Sequence, residues 1–161
     1  MTESDQRVAA GGKHVLIVED DDVIRKLLCI AFKKNGHTVL EYPDSSFAMT
    51  DISRNKPRID AAVVDLMNMG YGGNMGDFLR KMPEYRATMV IFYTALTQQQ
   101  FNTKILNAPN TYYVQKTPGS FKWSWTGWKG RFEEDRLKGK PTNAHTPTQG
   151  FRRNQGVPVR S

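Results

Sequence analysis

The chain has 161 residues, which suits a single domain with terminal extensions. Hydrophobic residues make up 39% of it and charged residues 24%, and no apolar run approaches the ~20 residues that cross a bilayer, so membrane insertion is not expected. The formal net charge is +7, and the excess belongs to residues 119–161, which hold nine basic and only three acidic side chains. The lone Cys29 excludes an internal disulfide, and residues 1–12 lack the apolar core of a signal peptide, so we expect a cytoplasmic protein.

The first predicted strand and helix follow a polar segment, residues 1–12, that we expect to be disordered. Residues 14–18 are an apolar, β-branched run that predicts a buried strand, and an acidic run at residues 19–22 ends it. Residues 23–34 have apolar side chains at helical spacing, and Asp21 or Asp22 is a suitable N-cap. Cys29 lies on this apolar face and is predicted to be a core residue. A second strand is predicted at residues 37–42.

The middle of the chain repeats the same order of strand and helix. Residues 45–55 are predicted to be a helix, and residues 61–65 a third strand that ends in Asp65. A glycine-rich loop at residues 67–74 leads to a short helix at residues 75–82. Residues 89–93 form the fourth predicted strand, residues 97–107 a helix, and residues 111–115 the fifth strand. Strands that alternate with helices predict a parallel sheet covered on both faces, a doubly wound α/β fold.

The character of the chain changes after Pro118. Residues 119–138 contain Trp123, Trp125 and Trp128 and are a poor match to a regular helix, although residues 128–138 could form one. Residues 139–161 are basic, rich in Pro, Gly and Thr, and predicted to be disordered. The domain core is therefore assigned to residues 13–118.

Polar side chains stand where four of the predicted strands end. They are Glu19 and Asp20, Asp65, Thr94, and Lys116. Each has an ordinary explanation alone, and a strand-end aspartate most often caps a turn. In a parallel sheet, however, the carboxyl ends lie along one edge, where such folds bind ligands.

The joint pattern has a chemical interpretation. Converging carboxylates repel one another unless a cation is present, and Mg²⁺ prefers oxygen ligands of this kind. Lys116 would supply a positive charge and Thr94 a hydroxyl for a phosphoryl group. Asp65 is then left as the oxygen nucleophile that accepts that group.

Residues 14–118 resemble the receiver domain of two-component response regulators. The similarity lies in Val-Glu-Asp-Asp at residues 18–21 with Arg25, Asp65-Leu66-Met67, Thr94-Ala95, and Tyr113 three residues before Lys116. The resemblance implies a flavodoxin-like five-stranded parallel sheet of order 2-1-3-4-5, here with an atypical fifth helix.

The resemblance also implies roles for these residues. Asp65 is the expected phosphoacceptor, and Mg²⁺ is bound by Glu19, Asp20, Asp65 and the backbone carbonyl of Met67. Thr94 and Lys116 engage the phosphoryl group, and Tyr113 turns inward when it arrives. The donor is a histidine kinase or a histidine phosphotransfer protein. We expect no enzyme activity beyond self-catalysed phosphorylation and dephosphorylation.

Output is expected through protein–protein contacts, because the tail is short and irregular for a DNA-binding domain. The family resemblance places a downstream target on the fourth helix, the fifth strand and the tail, with dimerisation on phosphorylation as one form of output. A stand-alone receiver is the expected organisation.

Two other functions fit parts of the sequence. Met69 stands where the family usually has proline, and Thr117 separates Lys116 from Pro118, which would suit a degenerate, non-phosphorylated interaction module. The tail has the composition for nucleic-acid backbone contacts, with basic residues Lys129, Arg131, Arg152, Arg153 and Arg160 and aromatic residues Trp128, Phe132 and Phe151. No recognition motif accompanies them, so nucleic-acid binding is ranked last. A phosphatase or dehalogenase would want a second acid at residue 67, which is methionine.

Overall fold

The computed structural model of the chain describes residues 12–66, 72–97, 100, 108–117 and 151–153, with backbone only for 72–74 and 151–153. Six strands form one sheet of order β2-β1-β3-β4-β5-β6. The strands are β1 His14–Val18, β2 Thr38–Tyr42, β3 Ala61–Val64, β4 Met89–Thr94, β5 Thr111–Gln115 and β6 Phe151–Arg153. The helices are α1 Asp22–Lys34, α2 Ser45–Asn55 and α3 Gly72–Lys81, followed by a 3₁₀ turn at Pro83–Tyr85.

The first five strands are parallel, which confirms the predicted doubly wound sheet of order 2-1-3-4-5. Predicted and observed strand bounds agree to within one residue. Helix α2 matches its prediction at both ends. Among the described residues, no helix is long and apolar enough to cross a membrane.

Helix α1 begins where the sequence predicts it. The Asp21 carboxylate accepts the backbone N–H groups of Val23 and Ile24 at 2.9 and 3.0 Å, so Asp21 is the N-cap. The helix ends at Lys34 with Asn35 as its C-cap, and Gly36 follows with a φ of 81°, a conformation that glycine adopts without steric cost.

Two apolar clusters lie on opposite faces of the sheet. One contains the buried residues of α1 and alternate residues of β1, β3, β4 and β5, and the other contains those of α2 and α3 with the remaining strand residues. Cys29 is buried in the first cluster, as predicted for a core residue. Burial, with a hydrogen bond to Glu41, raises the pKa of its thiol to about 11, which makes it a poor nucleophile at neutral pH.

Helix α3 differs from the prediction. It begins at Gly72, three residues before the predicted start, so the glycine-rich segment is partly helical. Glycine is a weak helix former, but Met75 and Leu79 of this helix are fully buried, and tertiary packing overrides the propensity. Gly76 lies against Phe92, where a Cβ atom would stand only 3.1 Å from the ring carbon Cζ.

The tail contains a strand that the sequence analysis did not predict. Residues 139–161 are predicted to be disordered, yet Phe151–Arg153 pairs antiparallel with β5. Three residues of ordinary composition give no recognisable strand signal, whereas the open edge of β5 offers backbone partners.

Several predictions lie outside the described residues. They are the disorder of residues 1–11, the loop at 67–71, the fourth helix apart from Thr97 and Gln100, the tryptophan-rich region 119–138, and the tail apart from β6.

Candidate functional site

The site lies where β1, β3, β4 and β5 end. Val18 and Val64 are neighbours in the register of β1 and β3, and Val64 faces Phe92 of β4. The backbone N–H of Asp65 donates to the Val18 carbonyl at 3.0 Å. The predicted strand-end residues therefore stand next to one another because the parallel register places them there.

Two of the four acidic residues after β1 belong to the site, and the other two stabilise the start of helix α1. Glu19 and Asp20 belong to the site, Asp21 caps α1, and Asp22 pairs with Arg25. Arg25 also donates from Nη1 to the Glu19 carbonyl at 2.8 Å, and the Asp21 N–H donates to Glu19 Oε1 at 3.2 Å. These bonds fix the loop that carries Glu19.

Three carboxylates converge in this site. Glu19, Asp20 and Asp65 each offer an oxygen, and these oxygens lie within 4.8 Å of one another. Glu19 and Asp65 are almost completely buried, with 2% and 4% exposure, whereas Asp20 is exposed. Such a group needs a cation or a bound proton, because buried like charges repel strongly.

Lys116 supplies a cation. Its Nζ lies 2.7 Å from Glu19 Oε2 and 2.8 Å from Asp65 Oδ2, so one ammonium bridges both buried acids. Burial alone would lower the pKa of Lys116, but its hydrogen bonds to Asp65 and Glu19 outweigh that effect and raise the pKa. The extra residue Thr117 has therefore not removed the ammonium from the site.

Glu19 is the acid that burial perturbs most clearly. Desolvation raises its pKa to about 7, although the hydrogen bond from Lys116 acts in the opposite direction. The carboxyl thus exchanges its proton near neutral pH, where a stronger cation at the site would compete with that proton.

Thr94 and Tyr113 occupy the neighbouring strand ends. Thr94 is completely buried, and its Oγ1 accepts the Leu96 N–H at 3.3 Å, while its carbonyl accepts the Lys116 N–H at 2.7 Å. Tyr113 is 5% exposed, and its hydroxyl donates to the Leu96 carbonyl at 2.6 Å. The resemblance implies that Tyr113 turns inward on phosphorylation, and the ring lies inward in this structure.

The donor set fits a hard divalent cation. All three converging side chains are carboxylates, one of them exposed to admit water, and Mg²⁺ combines carboxylate oxygens with bound waters. The raised pKa of Glu19 reflects burial of a charge that only partly finds a partner. Met67, predicted to contribute its backbone carbonyl, lies outside the described residues.

Two contacts of the site were not predicted from the sequence. The ring of Tyr93 lies 5.5 Å from Lys116 Nζ, within cation–π range, and the Leu96 carbonyl accepts the Tyr113 hydroxyl. Strand alternation could have indicated Tyr93, because it faces the same side of the sheet as Val114, two residues before Lys116. A backbone acceptor such as that of Leu96 has no side-chain signal.

Known proteins share this sequence pattern and this fold. The family model described as the response regulator receiver domain matches residues 15–120. The transcriptional regulatory protein CseB of Streptomyces avermitilis is 40% identical over 60 residues, which are 37% of this chain and 25% of that protein. The chain thus matches about a quarter of the length of this curated relative.

Solved structures agree in fold. The phosphorylated cyanobacterial phytochrome response regulator RcpA has a TM-score of 0.64 at 20% identity, covering 80% of this chain and 96% of that one. The receiver domain of the sensor histidine kinase PA1611 from Pseudomonas aeruginosa, solved with a magnesium ion in its active-site cleft, has a TM-score of 0.59 at 24% identity, covering 74% and 98%. With the family match over about two-thirds of its length, the chain belongs to the response regulator receiver domain family of two-component signalling.

Proposed function

We propose that the chain is a phosphorylation-dependent switch in which Asp65 accepts a phosphoryl group from the phosphohistidine of a histidine kinase or histidine phosphotransfer protein. The observation that carries this proposal is the pairing of a buried strand-end carboxylate, Asp65, with the Lys116 ammonium at 2.8 Å, beside two further acids. A carboxylate that only capped a turn would need neither the Lys116 ammonium nor the neighbouring acids.

The transfer forms a bond between an Asp65 carboxylate oxygen and phosphorus. The bond from phosphorus to the donor imidazole nitrogen breaks, and its electron pair returns to the ring. Lys116 is placed to hold charge on a phosphoryl oxygen, and the Thr94 hydroxyl to donate to another. Both therefore act on the transferred group, while Asp65 is the nucleophile.

Glu19 and Asp20, with Asp65 and the Met67 carbonyl, would hold Mg²⁺. The ion, when bound, neutralises charge on the carboxylates and on the phosphoryl oxygens. Glu19 must be deprotonated to bind the ion. Arg25 keeps the Glu19 backbone in position through the 2.8 Å hydrogen bond to the Glu19 carbonyl.

The output of such a switch is a change of surface near β5. Thr94 and Lys116 are joined by a backbone hydrogen bond, and Tyr113 binds the Leu96 carbonyl, so groups on β4 and β5 respond together. We propose a downstream protein target on the face of the fourth helix, β5 and the tail, with dimerisation on phosphorylation as one outcome. The proposed setting is the cytoplasm, and catalysis is limited to the chain's own phosphorylation and dephosphorylation.

A small phosphodonor such as acetyl phosphate, with Mg²⁺, tests the proposal. Intact-mass measurement should show one added phosphoryl group on the wild type and none on Asp65→Asn. Asp60→Asn is the matched control, since Asp60 lies at the opposite end of β3 and should leave labelling intact. Labelling of Asp65→Asn equal to the wild type would remove Asp65 as the acceptor. A folded wild type that binds no Mg²⁺ and takes no label would instead fit the non-phosphorylated interaction module.

A further inference from the structure

The outer edge of β5 is covered by another segment of the chain, β6. In the order 2-1-3-4-5, β5 has a parallel neighbour, β4, on one side only. The other side is taken by β6, which runs antiparallel and pairs Arg152 with Tyr113. The residues of β5 are Thr-Tyr-Tyr-Val-Gln, uncharged, free of proline, and rich in strong strand formers.

Strand alternation shows which backbone groups β6 meets. The Asn110 carbonyl and the Lys116 N–H both bond to β4, so the even-numbered residues of β5 direct their backbone groups toward β4. Thr111, Tyr113 and Gln115 therefore direct theirs toward the outer edge. Tyr113 and Arg152 are directly opposite, in the position where antiparallel residues exchange two hydrogen bonds, whereas Arg153 directs its N–H away from β5.

An uncovered edge of this composition is a template for pairing with another strand. The structure shows that the edge accepts an antiparallel partner. A second copy of β5, related by a two-fold axis, would also run antiparallel, and a two-fold contact of identical surfaces closes without further growth.

We propose that Phe151–Arg153 is an intramolecular cap that excludes a second copy of this chain from the β5 edge, so that release of the tail strand permits dimerisation through β5. The cap and the second copy compete for the same backbone groups, those of Tyr113, which lie opposite Arg152. This role goes beyond the proposed switch and does not require phosphorylation of Asp65.

Two proline variants of the full-length chain test the cap. Arg152→Pro removes the N–H that faces Tyr113, whereas Arg153→Pro makes the same change of charge at an N–H that points away, where an edge strand tolerates proline. Amide hydrogen exchange of Tyr113, measured in dilute protein, should be at least about tenfold faster in Arg152→Pro and unchanged in Arg153→Pro. The Val114 amide, directed toward β4, should stay protected in both and reports that the sheet is intact.

Sedimentation analysis then identifies the competing occupant. Arg152→Pro should form dimers at concentrations where the wild type and Arg153→Pro are monomers. As its concentration rises, protection of the Tyr113 amide should return, because a second β5 replaces β6. If the Tyr113 amide exchanges at the wild-type rate in Arg152→Pro, or equally fast in Arg153→Pro, β6 is not a cap on the β5 edge. If the Tyr113 amide exchanges fast in Arg152→Pro but the variant stays monomeric, the partner that β6 excludes is not a second copy of the chain. Neither result bears on labelling of Asp65, which is measured separately by mass.

Discussion

At the level of single residues, Lys116 is the cation on which two buried carboxylates depend. Replacing it with methionine keeps most of the apolar stem and removes the charge that bridges Glu19 and Asp65. We expect Lys116→Met to lower the free energy of unfolding by about 2–4 kcal/mol at pH 8 without divalent cations, since the acids are left buried and uncompensated. Urea denaturation followed by circular dichroism measures this, and the loss should shrink toward pH 5 as Glu19, whose pKa is raised to about 7, takes up a proton.

Lys56→Met is the matched control for that variant. Lys56 also makes a 2.8 Å ion pair, with Glu84, but both side chains are exposed, so solvent already screens their attraction. We expect little change in stability from it. A loss in Lys116→Met no larger than in Lys56→Met would contradict the view that burial makes the Lys116 contacts important.

Glu19 should give the metal-free protein a pH dependence of its own. Its pKa rises from 4.5 to about 7 on folding, so the folded state holds the proton more tightly than the unfolded state. The contribution of Glu19 to stability is therefore full below pH 4.5 and is lost as the pH rises toward 7. Glu19→Gln, which stays neutral, should match the wild type near pH 4.5 and be more stable by roughly 3 kcal/mol at pH 8, since each of the roughly 2.5 pKa units between 4.5 and about 7 corresponds to about 1.4 kcal/mol.

Denaturation of both proteins across this pH range, in the presence of a chelator, tests the prediction. Glu84→Gln provides a control of opposite sign, because the hydrogen bond from Lys56 lowers the pKa of Glu84. A stability difference between wild type and Glu19→Gln that stays constant from pH 4.5 to 8 would show that burial does not perturb Glu19.

The sequence predicted which residues meet at the site, since each polar strand end is visible as a break in an apolar run. It did not predict that Lys116 bridges Glu19 and Asp65, because the reach of a flexible side chain depends on its surroundings. The hydrogen bond of the Tyr113 hydroxyl was also not predicted. It depends on a backbone acceptor at Leu96, which no residue type encodes.

At the level of elements, the contact between α3 and β4 depends on the absence of a side chain at Gly76. Alanine is the better helix former by about 1 kcal/mol, but its Cβ would stand 3.1 Å from Phe92 Cζ. Phe92 is completely buried and has little room to move, and overpacking costs about 1–3 kcal/mol. We expect Gly76→Ala to lower the free energy of unfolding by about 1 kcal/mol, measured by urea denaturation.

A double-mutant cycle with Phe92→Leu separates the two effects. Leucine removes the ring carbons nearest Gly76, so Gly76→Ala in that background should stabilise the protein through helix propensity alone. If alanine changes stability equally in both backgrounds, Phe92 is not what requires glycine at residue 76.

The same contact explains where element prediction failed. Local signals were sufficient for α1 and α2, and the N-cap side chains Asp21 and Asp44 both accept backbone N–H groups. Helix α3 starts among glycines, whose local preference opposes a helix. The helix forms there because packing of the buried Met75 and Leu79 outweighs that preference. Strand β6 has no local signal, since pairing with β5 determines it.

At the level of the whole molecule, the carboxyl ends of the strands are one connected unit. Backbone hydrogen bonds link Glu19 to Tyr42, Asp65 to Val18, and Lys116 to Thr94. Val64 pairs with Phe92 between β3 and β4, so the ends of five neighbouring strands are connected across the sheet. A ligand that binds the acids therefore stabilises contacts that extend through the sheet, and its binding should appear in global unfolding.

Mg²⁺ should thus raise the stability of the entire fold. A ligand that binds only the folded state adds about 1.4 kcal/mol to the free energy of unfolding for each tenfold rise in concentration above its dissociation constant. We expect this slope in the wild type when urea denaturation is repeated over a Mg²⁺ series at constant ionic strength.

Two variants test where the ion binds. Asp20→Asn should show the same slope only at higher Mg²⁺ concentration, because it loses one of three converging carboxylates. Asp22→Asn makes the same change on an exposed residue that pairs with Arg25 outside this cluster, so its Mg²⁺ dependence should match the wild type. Equal Mg²⁺ dependence in Asp20→Asn and the wild type would mean that the ion does not bind through Asp20, and an equal loss in both variants would indicate general charge screening.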